Sequence, residues 1–173
     1  MANSGKRVAV VLAPNFEDIE ATSPIEALEA AGADITIIGT ATGPIEGKKG
    51  AVLDATKTFG DVSTDEFDML LIPGGGAPEN LRIDDAAVAW TKAFTESSKP
   101  VGAICHGAQL LISAEVLQGR TLTAVNKIRD DVRNAGGKYV DEALVVDGNL
   151  ITSRVPGDLP AFNAALVSAL GAD

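Results

Sequence analysis

Short runs of apolar residues alternate along this chain with segments of helical periodicity. Four runs, at residues 7–12, 34–39, 69–72 and 100–104, are rich in aliphatic side chains, as is typical of strands buried on both faces of a sheet. Strand and helix patterns alternate at least four times. This alternation predicts an α/β fold with a mostly parallel sheet and helices on both of its faces.

The segments between and after these strands predict helices. The first is expected over residues 23–31, because Ser23 and Glu26 have the spacing of a capping box and Pro24 suits the first helical position. Further helices are expected at residues 84–94, 106–114, 126–135 and 158–170.

The sequence pattern gives no sign of a boundary between domains. We find no linker, internal repeat or low-complexity tract. Residues 43–50 form a polar excursion that predicts a loop leading into a small hairpin, and Asp147-Gly148 predicts a tight-turn hairpin over residues 144–152. The 173 residues fit one domain of ordinary size. We therefore expect a single domain over residues 1–173.

The composition of the chain indicates which kinds of partner it is expected to bind. The chain has 14 Lys+Arg and 24 Asp+Glu, a net charge of −10. Such a charge repels phosphate backbones and anionic lipid, so neither nucleic acid nor a membrane is an expected partner. The first apolar run is too short for a secretory signal, and the single cysteine excludes an internal disulfide. These features predict a cytoplasmic protein, and without a His/Cys cluster we expect neither a metal nor a cofactor.

The strongest chemical signal is the segment 101–108, VGAICHGA. A buried strand ends, Cys105 follows, and a helical pattern begins at once, with small residues at Ala103 and Gly107. This pattern is typical of a nucleophile elbow with Cys in place of Ser. The alternative is an inert core cysteine, since free Cys is often buried. A thiol at a helix N-terminus is expected to have a lowered pKa.

His106, the only histidine, follows the thiol directly. Adjacent side chains point apart in regular secondary structure, but a strained elbow can turn both towards one cleft. A working imidazole also needs a group that fixes its tautomer, usually a carboxylate. The alternative is a surface histidine or one whose hydrogen bonds are purely structural.

Two more segments are expected at the same sheet edge. The glycines of residues 73–76 expose N–H groups that could bind an oxyanion, although a flexible turn is the simpler interpretation. Glu79 lies just beyond them. Residues 15–20, NFEDIE, offer three carboxylates: either a solvated acidic loop, or a carboxyl buried against the thiol with a raised pKa. Arg154 is a candidate for an anion contact or a structural contact.

Four ordered blocks of the sequence resemble the PfpI family, in the class I glutamine amidotransferase-like superfamily. They are the nucleophile segment 103–111, the acidic loop 16–20, the glycine turn at 71–75 with 77–79, and the C-terminal segments 130–136, 139–141 and 145–154. The resemblance covers nearly the whole chain. It implies a flavodoxin-like three-layer sandwich.

The resemblance also implies roles for individual residues. Cys105 would be the nucleophile, and Glu17 the protonated partner of its thiolate. Glu79 would reach His106 from a neighbouring subunit, so that the protein would be a homodimer or a larger homo-oligomer. The backbone N–H groups of Gly75 and His106 would stabilise an oxyanion.

Three functional hypotheses follow from the resemblance. The first is a stress-protective enzyme that uses Cys105 on a small carbonyl compound or a glycated adduct, as in glyoxalase III or deglycase action, with Glu17 moving protons. The second is a redox-responsive stress protein in which Cys105 is oxidised without efficient turnover. The third is an intracellular cysteine peptidase built on Cys105, His106 and Glu79.

Two departures from the family pattern bear on the third hypothesis. Val125-Asn126 stands where peptidase-like members usually have an aromatic residue followed by Pro, and Gly76 stands where an Arg is common. Both changes remove groups that could line or anchor a substrate pocket. They argue against peptide cleavage more than against thiol chemistry.

Overall fold

The computed structural model describes residues 5–171, in which we number eleven strands and six α-helices. The strands are β1 (Arg7–Val11), β2 (Asp34–Gly39), β3 (Gly43–Glu46), β4 (Val52–Ala55), β5 (Lys57–Thr58), β6 (Met69–Ile72), β7 (Val101–Ile104), β8 (Thr121–Leu122), β9 (Lys138–Tyr139), β10 (Val145–Asp147) and β11 (Leu150–Ser153). The helices are α1 (Asp18–Ala30), α2 (Ala77–Leu81), α3 (Asp85–Glu96), α4 (Ala108–Ser113), α5 (Arg129–Asn134) and α6 (Leu159–Gly171).

Seven strands form one sheet in the order β10-β11-β7-β6-β1-β2-β5. All neighbours run parallel except the β10–β11 hairpin. The run β2-β1-β6-β7-β11 has the flavodoxin-like order 2-1-3-4-5. Helix α1 packs on α6, while α2, α3 and α5 surround α4, so that the sheet lies between two helical layers. The predicted mostly parallel α/β sandwich is confirmed.

Close packing fixes the central strands. Every residue of β6, β7 and β11 is buried. Gly102 of β7 allows α6 to approach, because a Cβ there would lie 2.5 Å from Leu166 Cδ2. In the other layer, Trp90 of α3 stacks on Phe94 with ring centroids 5.7 Å apart. A rigid sheet of this kind holds the carboxyl ends of its strands in fixed relative positions.

Helix α1 begins at Asp18, five residues before the predicted start. The capping-box prediction is wrong, because the Ser23 hydroxyl instead accepts a hydrogen bond from Asn163 Nδ2 of α6 at 2.8 Å. Pro24 lies inside the helix. The segment before α1 is fixed by the pairing of Phe16 with Gly75, which allows the helix to start directly after the acidic loop.

The other differences are small. The hairpin predicted near residues 43–50 is present as β3 and β4, and the predicted C-terminal hairpin turns at Gly148-Asn149, one residue later than expected. Two predicted helices are shorter, since 3₁₀ turns at Cys105–Gly107 and Asn126–Ile128 precede α4 and α5. Within residues 5–171, no helix combines the length and apolar character needed to cross a membrane.

Candidate active site

Neighbouring parallel strands bring the candidate residues to one edge of the sheet. Strands β1, β6 and β7 are adjacent, and each ends in a segment that the sequence singled out. The acidic loop follows β1, the glycine turn follows β6, and Cys105 follows β7. Ligands of open α/β sheets bind at this carboxyl edge.

Cys105 has the backbone conformation of a nucleophile elbow. Its φ is +60°, a left-handed value that costs a residue with a Cβ about 1–2 kcal/mol. The turn also requires Gly107, where a Cβ would lie 2.6 Å from the carbonyl oxygen of Ile72. The thiol is partly buried. It therefore stands at the end of a rigid strand, in a conformation maintained by its surroundings.

A buried carboxyl lies against this thiol. Glu20, in the first turn of α1, is fully buried, and neither carboxyl oxygen has a partner in good hydrogen-bond geometry within residues 5–171. The Cys105 thiol and the Gly74 N–H nevertheless lie near enough to affect it. Burial, together with the negative charge of Glu17, raises the pKa of Glu20 to about 7.

The expectation that Glu17 supports the thiolate is a misassignment. The Glu17 carboxylate turns away to the β3–β4 hairpin, where Oε1 lies 2.8 Å from Lys49 Nζ and Oε2 lies 3.7 Å from Lys48 Nζ. Because α1 starts at Asp18, Glu17 precedes the helix, and Glu20 is the acidic residue on its inward face. The pattern of residues 15–20 predicted a loop, in which nothing distinguished Glu20 from its acidic neighbours.

The expected lowering of the thiol pKa is also not found. Burial, and then the negative charge of Glu20, raise the pKa of Cys105 to about 12. The N–H groups of His106 and Gly75 act in the opposite direction. Thiol and carboxyl therefore form a coupled pair, in which ionisation of one group disfavours ionisation of the other.

Two backbone N–H groups point to the reacting centre. Those of His106 and Gly75 lie close enough to the Cys105 sulfur to stabilise negative charge there. Gly75 has a φ of +77°, and a Cβ on it would lie 2.3 Å from the backbone nitrogen of Glu17. Only glycine fits this position without strain. These are the two N–H groups that the family resemblance names as oxyanion donors.

His106 lies beside the thiol, with Nδ1 3.4 Å from Cys105 Sγ. Its half-buried position lowers the pKa of the imidazole, and the charge of Glu79 in the same chain partly reverses that shift. Lys48 and Lys127 lower this pKa further. The expectation that the Glu79 carboxylate reaches His106 from a neighbouring subunit stays a prediction.

Arg154 is a structural residue. Its guanidinium donates to both carboxylate oxygens of Asp158, at 2.9 and 3.0 Å, and to Asp141 at 3.0 Å. Asp158 is almost fully buried. This bidentate pair uses most of the donors of Arg154 and fixes the start of α6 beside the sheet edge.

The two departures from the family pattern both lie at the site. The Val125 N–H donates to the Cys105 carbonyl at 3.2 Å, and the Gly76 N–H donates to the Asn15 carbonyl at 2.7 Å. A glycine and an aliphatic residue therefore stand at two of the positions that depart from the family pattern. In the part of the chain that the structure describes, no three His, Cys, Asp or Glu side chains are grouped as metal ligands.

Comparisons with known proteins agree with this geometry. A sequence model of the DJ-1/PfpI family matches residues 6–169. "Protein/nucleic acid deglycase 2" of Escherichia coli (strain K12) is 48% identical over 170 residues, covering 96% of this chain and 99% of that protein. "Putative cysteine protease YraA" of Bacillus subtilis (strain 168) is 46% identical, covering 91% of this chain and 94% of that protein.

A solved structure gives the same result for the fold. A two-domain protein from Anabaena variabilis, with DJ-1/ThiJ/PfpI-like and ferritin-like domains, superimposes with a TM-score of 0.94 at 41% identity. The match covers 96% of this chain and 48% of that one, so this chain spans about half of the two-domain protein. The chain belongs to the DJ-1/PfpI family.

Proposed function

We propose that this protein is a cysteine-dependent enzyme that acts on reactive carbonyl compounds, such as α-oxoaldehydes, or on their glycation adducts. One observation carries the proposal. The elbow thiol of Cys105 lies against the buried carboxyl of Glu20, beside the N–H groups of Gly75 and His106. A nucleophile, a proton carrier and oxyanion donors are the groups that carbonyl addition requires.

The first step is addition of sulfur to the aldehyde carbon. Glu20, as carboxylate, accepts the thiol proton while the C–S bond forms and the carbonyl electrons move onto oxygen. The N–H groups of Gly75 and His106 stabilise that oxygen, which is then protonated to give a hemithioacetal. Glu20 supplies that proton and returns to the carboxylate, which is the base for the next step.

The second step moves a proton between adjacent carbons. Glu20 removes the proton from the carbon that carries sulfur, and the neighbouring ketone carbon is protonated in return. The product is a 2-hydroxy thioester, which water hydrolyses to a 2-hydroxy acid and free thiol. No outside oxidant or reductant is needed, because one carbon is oxidised as the other is reduced.

For a glycated amine, the sulfur attacks the carbon that carries nitrogen. The C–N bond breaks, and the amine leaves with the proton that the thiol supplied. The relative from Escherichia coli, named as a protein/nucleic acid deglycase, supports this branch. The net charge of −10 favours protein or small-molecule adducts over nucleic acid. We place this activity in the cytoplasm, where the single thiol stays reduced.

A peptidase is the second candidate. The 3.4 Å contact between Cys105 and His106 favours it, as does the printed name of the Bacillus subtilis relative. Because the pKa of His106 is lowered, its imidazole is neutral at neutral pH and could take the thiol proton. The small and aliphatic residues at Gly76 and Val125 offer little to anchor a peptide.

The test compares wild type with Cys105→Ser on four substrates: methylglyoxal, a methylglyoxal-modified peptide, the unmodified peptide and hydrogen peroxide. We expect wild type to convert the first two, and Cys105→Ser to lose that activity. Cleavage of the unmodified peptide would favour the peptidase. Oxidation of Cys105 by peroxide without any turnover would favour a redox role. Equal activity of both proteins on the carbonyl substrates would overturn the proposal.

A further inference from the structure

The third carboxylate of the acidic loop has no place in the chemistry described so far. Asp18 is the first residue of α1, two residues before Glu20. Its half-buried side chain bonds to the tip of the β3–β4 hairpin, residues 47–51. Asp18 therefore links the helix that carries Glu20 to a segment that lies about 30 residues later in the sequence.

Both oxygens of the Asp18 carboxylate accept backbone hydrogen bonds from the hairpin tip. Oδ1 accepts from the N–H of Lys49 at 3.0 Å, and Oδ2 accepts from the N–H of Ala51 at 2.8 Å. These bonds hold the pKa of Asp18 below its usual value, so that the group is ionised at neutral pH. The contact is also close, because a Cβ on Gly47 would collide with Asp18 Oδ1.

The start of α1 depends on contacts of this kind. Glu17, its N-cap residue, makes no side-chain hydrogen bond to the helix, although such a bond ordinarily stabilises a helix start. The Glu17 N–H instead donates to the Gly74 carbonyl at 3.2 Å, and the Lys48 N–H donates to the Phe16 carbonyl at 3.0 Å. These bonds hold the residues before α1, whereas Asp18 connects the first turn of the helix itself to the hairpin.

Glu20 depends on the start of α1 because its own carboxyl is weakly held. Neither oxygen has a partner in good hydrogen-bond geometry within residues 5–171. Its position against Cys105 therefore follows from where the first turn of α1 lies. A small displacement or rotation of that turn would move the carboxyl away from the thiol, with no strong hydrogen bond of Glu20 to resist it.

We propose that Asp18 is a positioning residue: its carboxylate fixes the first turn of α1 to the tip of the β3–β4 hairpin and so keeps Glu20 against the Cys105 thiol. This inference rests on the proposed role of Glu20 as the proton carrier. A displacement of about 1 Å at a reacting centre can cost about 10²-fold in rate. Loss of the Asp18 contacts should therefore impair the pair, although Asp18 itself bonds to the hairpin.

The titratable groups that act on Glu20 lie on three segments, which are Glu17 before α1, Lys48 and Lys49 on the hairpin, and Cys105 at the elbow. Because Asp18 joins the hairpin to α1, its loss would also move the two lysines. A shift in one pKa would not separate this effect from a displacement of Glu20. The test therefore measures the coupling between Asp18 and Glu20, by combining substitutions of the two residues.

The measurement is the rate at which iodoacetamide alkylates Cys105, the single cysteine, at pH 8 and without substrate. The variants are Asp18→Ala, Asp18→Asn, Glu20→Gln and the double variant Asp18→Ala/Glu20→Gln. Gly47→Ala disturbs the same contact from the hairpin, since its Cβ would displace the Asp18 carboxylate. Thermal denaturation of each variant is recorded in parallel.

Asp61→Ala is the matched control. The Asp61 carboxylate likewise accepts two hydrogen bonds, from the backbone N–H and the hydroxyl of Thr58, both at 2.9 Å. These bonds lie at the end of edge strand β5, two strands away from β1. Asp61→Ala should therefore show the cost of losing two such bonds in stability, while Cys105 is alkylated at the wild-type rate.

We expect Asp18→Ala to slow alkylation by the same factor as Glu20→Gln, with no further change in the double variant. Asp18→Asn keeps one of the two acceptor oxygens and should show a smaller loss. Gly47→Ala should slow alkylation as Asp18→Ala does, although Asp18 is intact.

Alkylation of Asp18→Ala at the wild-type rate would overturn the inference, whatever its stability, because Asp18 would then be a purely structural residue. Equal losses in Asp18→Asn and Asp18→Ala that disappear in about 1 M salt would also overturn it, since they would show an effect of charge. If Asp18→Ala does not fold, Asp18→Asn and Gly47→Ala decide the question. A failure of the proposed role of Glu20 would appear separately, as unchanged alkylation in Glu20→Gln.

Discussion

Glu20 and Cys105 lie too deep, and too close together, for both to be ionised at neutral pH. Burial raises the pKa of each group, to about 7 for Glu20 and to about 12 for Cys105. Between about pH 7 and about pH 12 the pair therefore carries one negative charge and one proton. That proton can sit on oxygen or sulfur, and the form with thiolate and neutral carboxyl is the nucleophile.

Alkylation of the single cysteine should follow the first ionisation of this pair. We expect the rate with iodoacetamide to rise with pH, with a midpoint near 7, because loss of the first proton creates the reactive monoanion. In Glu20→Gln that step should disappear, leaving only the buried thiol to titrate at higher pH. A wild-type profile identical to that of Glu20→Gln would contradict the shared proton.

The same carboxyl makes stability depend on pH. Glu20 keeps its proton to about pH 7 in the folded protein, but only to about 4.5 when unfolded. Its contribution to stability is thus complete below pH 4.5 and is lost as the pH rises through 7. Glu20→Gln stays neutral throughout, so its stability relative to wild type should increase from pH 5 to pH 8, by about 3 kcal/mol at most.

Urea denaturation of both proteins at pH 5 and pH 8 measures this difference. Glu26→Gln is a suitable control, since Glu26 is exposed on the same helix. A difference between Glu20→Gln and wild type that is equal at the two pH values would mean that Glu20 is ionised in the folded state.

Among the elements, the turn after β6 determines how near α1 comes to the elbow. A Cβ on Gly74 would lie 2.5 Å from Glu20 Oε1, 2.8 Å from the Ile104 carbonyl and 2.9 Å from Cys105 Cβ. The helix that carries Glu20 and the strand that leads to Cys105 can therefore approach each other only because residue 74 has no side chain.

Gly74→Ala should accordingly separate the pair. We expect a loss of stability of about 1–3 kcal/mol, as is usual for overpacking, together with loss of the alkylation step near pH 7. Gly76→Ala is the matched control in the same turn, because its nearest contact would be 3.1 Å, to the Asn15 side chain. If both variants behave alike in denaturation and alkylation, the close approach at Gly74 has no special role.

The sequence could predict the strands but not where α1 begins. Runs of aliphatic residues identified β1, β6 and β7 because strands buried on both faces need no other signal, and a similar run identified β2, which is only partly buried. The start of α1 depends on contacts of the acidic loop with the glycine turn and the hairpin, which are distant in sequence. The local capping signal at residues 23–26 therefore predicted the wrong start for α1.

The start of α1 also explains which residues of the site could be predicted and which could not. The elbow at Cys105 and the N–H of Gly75 could be located because each requires particular residues at fixed spacing. The choice between Glu17 and Glu20 depended on which one faces inward, and three residues are nearly a full helical turn apart. Because the start of α1 was not known, the sequence could not show which of the two glutamates faces the thiol.

For the molecule as a whole, we propose self-association. The resemblance to the PfpI family implies it, and Ile83 and Val52 are 80% and 59% exposed, apolar surface that a contact could bury. A two-fold dimer is the commonest arrangement. Light scattering at working concentration should give the mass of a dimer or larger species, and a monomer would contradict the proposal.

Mixing experiments test which chain supplies Glu79. Because the resemblance to the PfpI family places the carboxylate partner of His106 on the neighbouring chain, mixtures of Cys105→Ser with Glu79→Gln should recover part of the activity that each variant lacks alone, and no recovery would contradict that placement. Mixtures of Cys105→Ser with wild type serve as the control for dilution. Recovery of activity in the first mixture would mean that the carboxylate comes from the neighbouring subunit.

The most direct test of the account compares the turnover of methylglyoxal by Glu20→Gln and Glu17→Gln. Glu20 is the buried proton carrier, and such groups typically contribute ~10²–10⁴-fold to rate, so Glu20→Gln should lose activity by about that factor. Glu17→Gln breaks ion pairs to Lys48 and Lys49 and removes a charge that raises the pKa of Glu20, but it leaves the proton carrier in place and should keep most of the wild-type kcat. Full activity in Glu20→Gln, or a greater loss in Glu17→Gln, would contradict the assignment of Glu20 as the partner of Cys105.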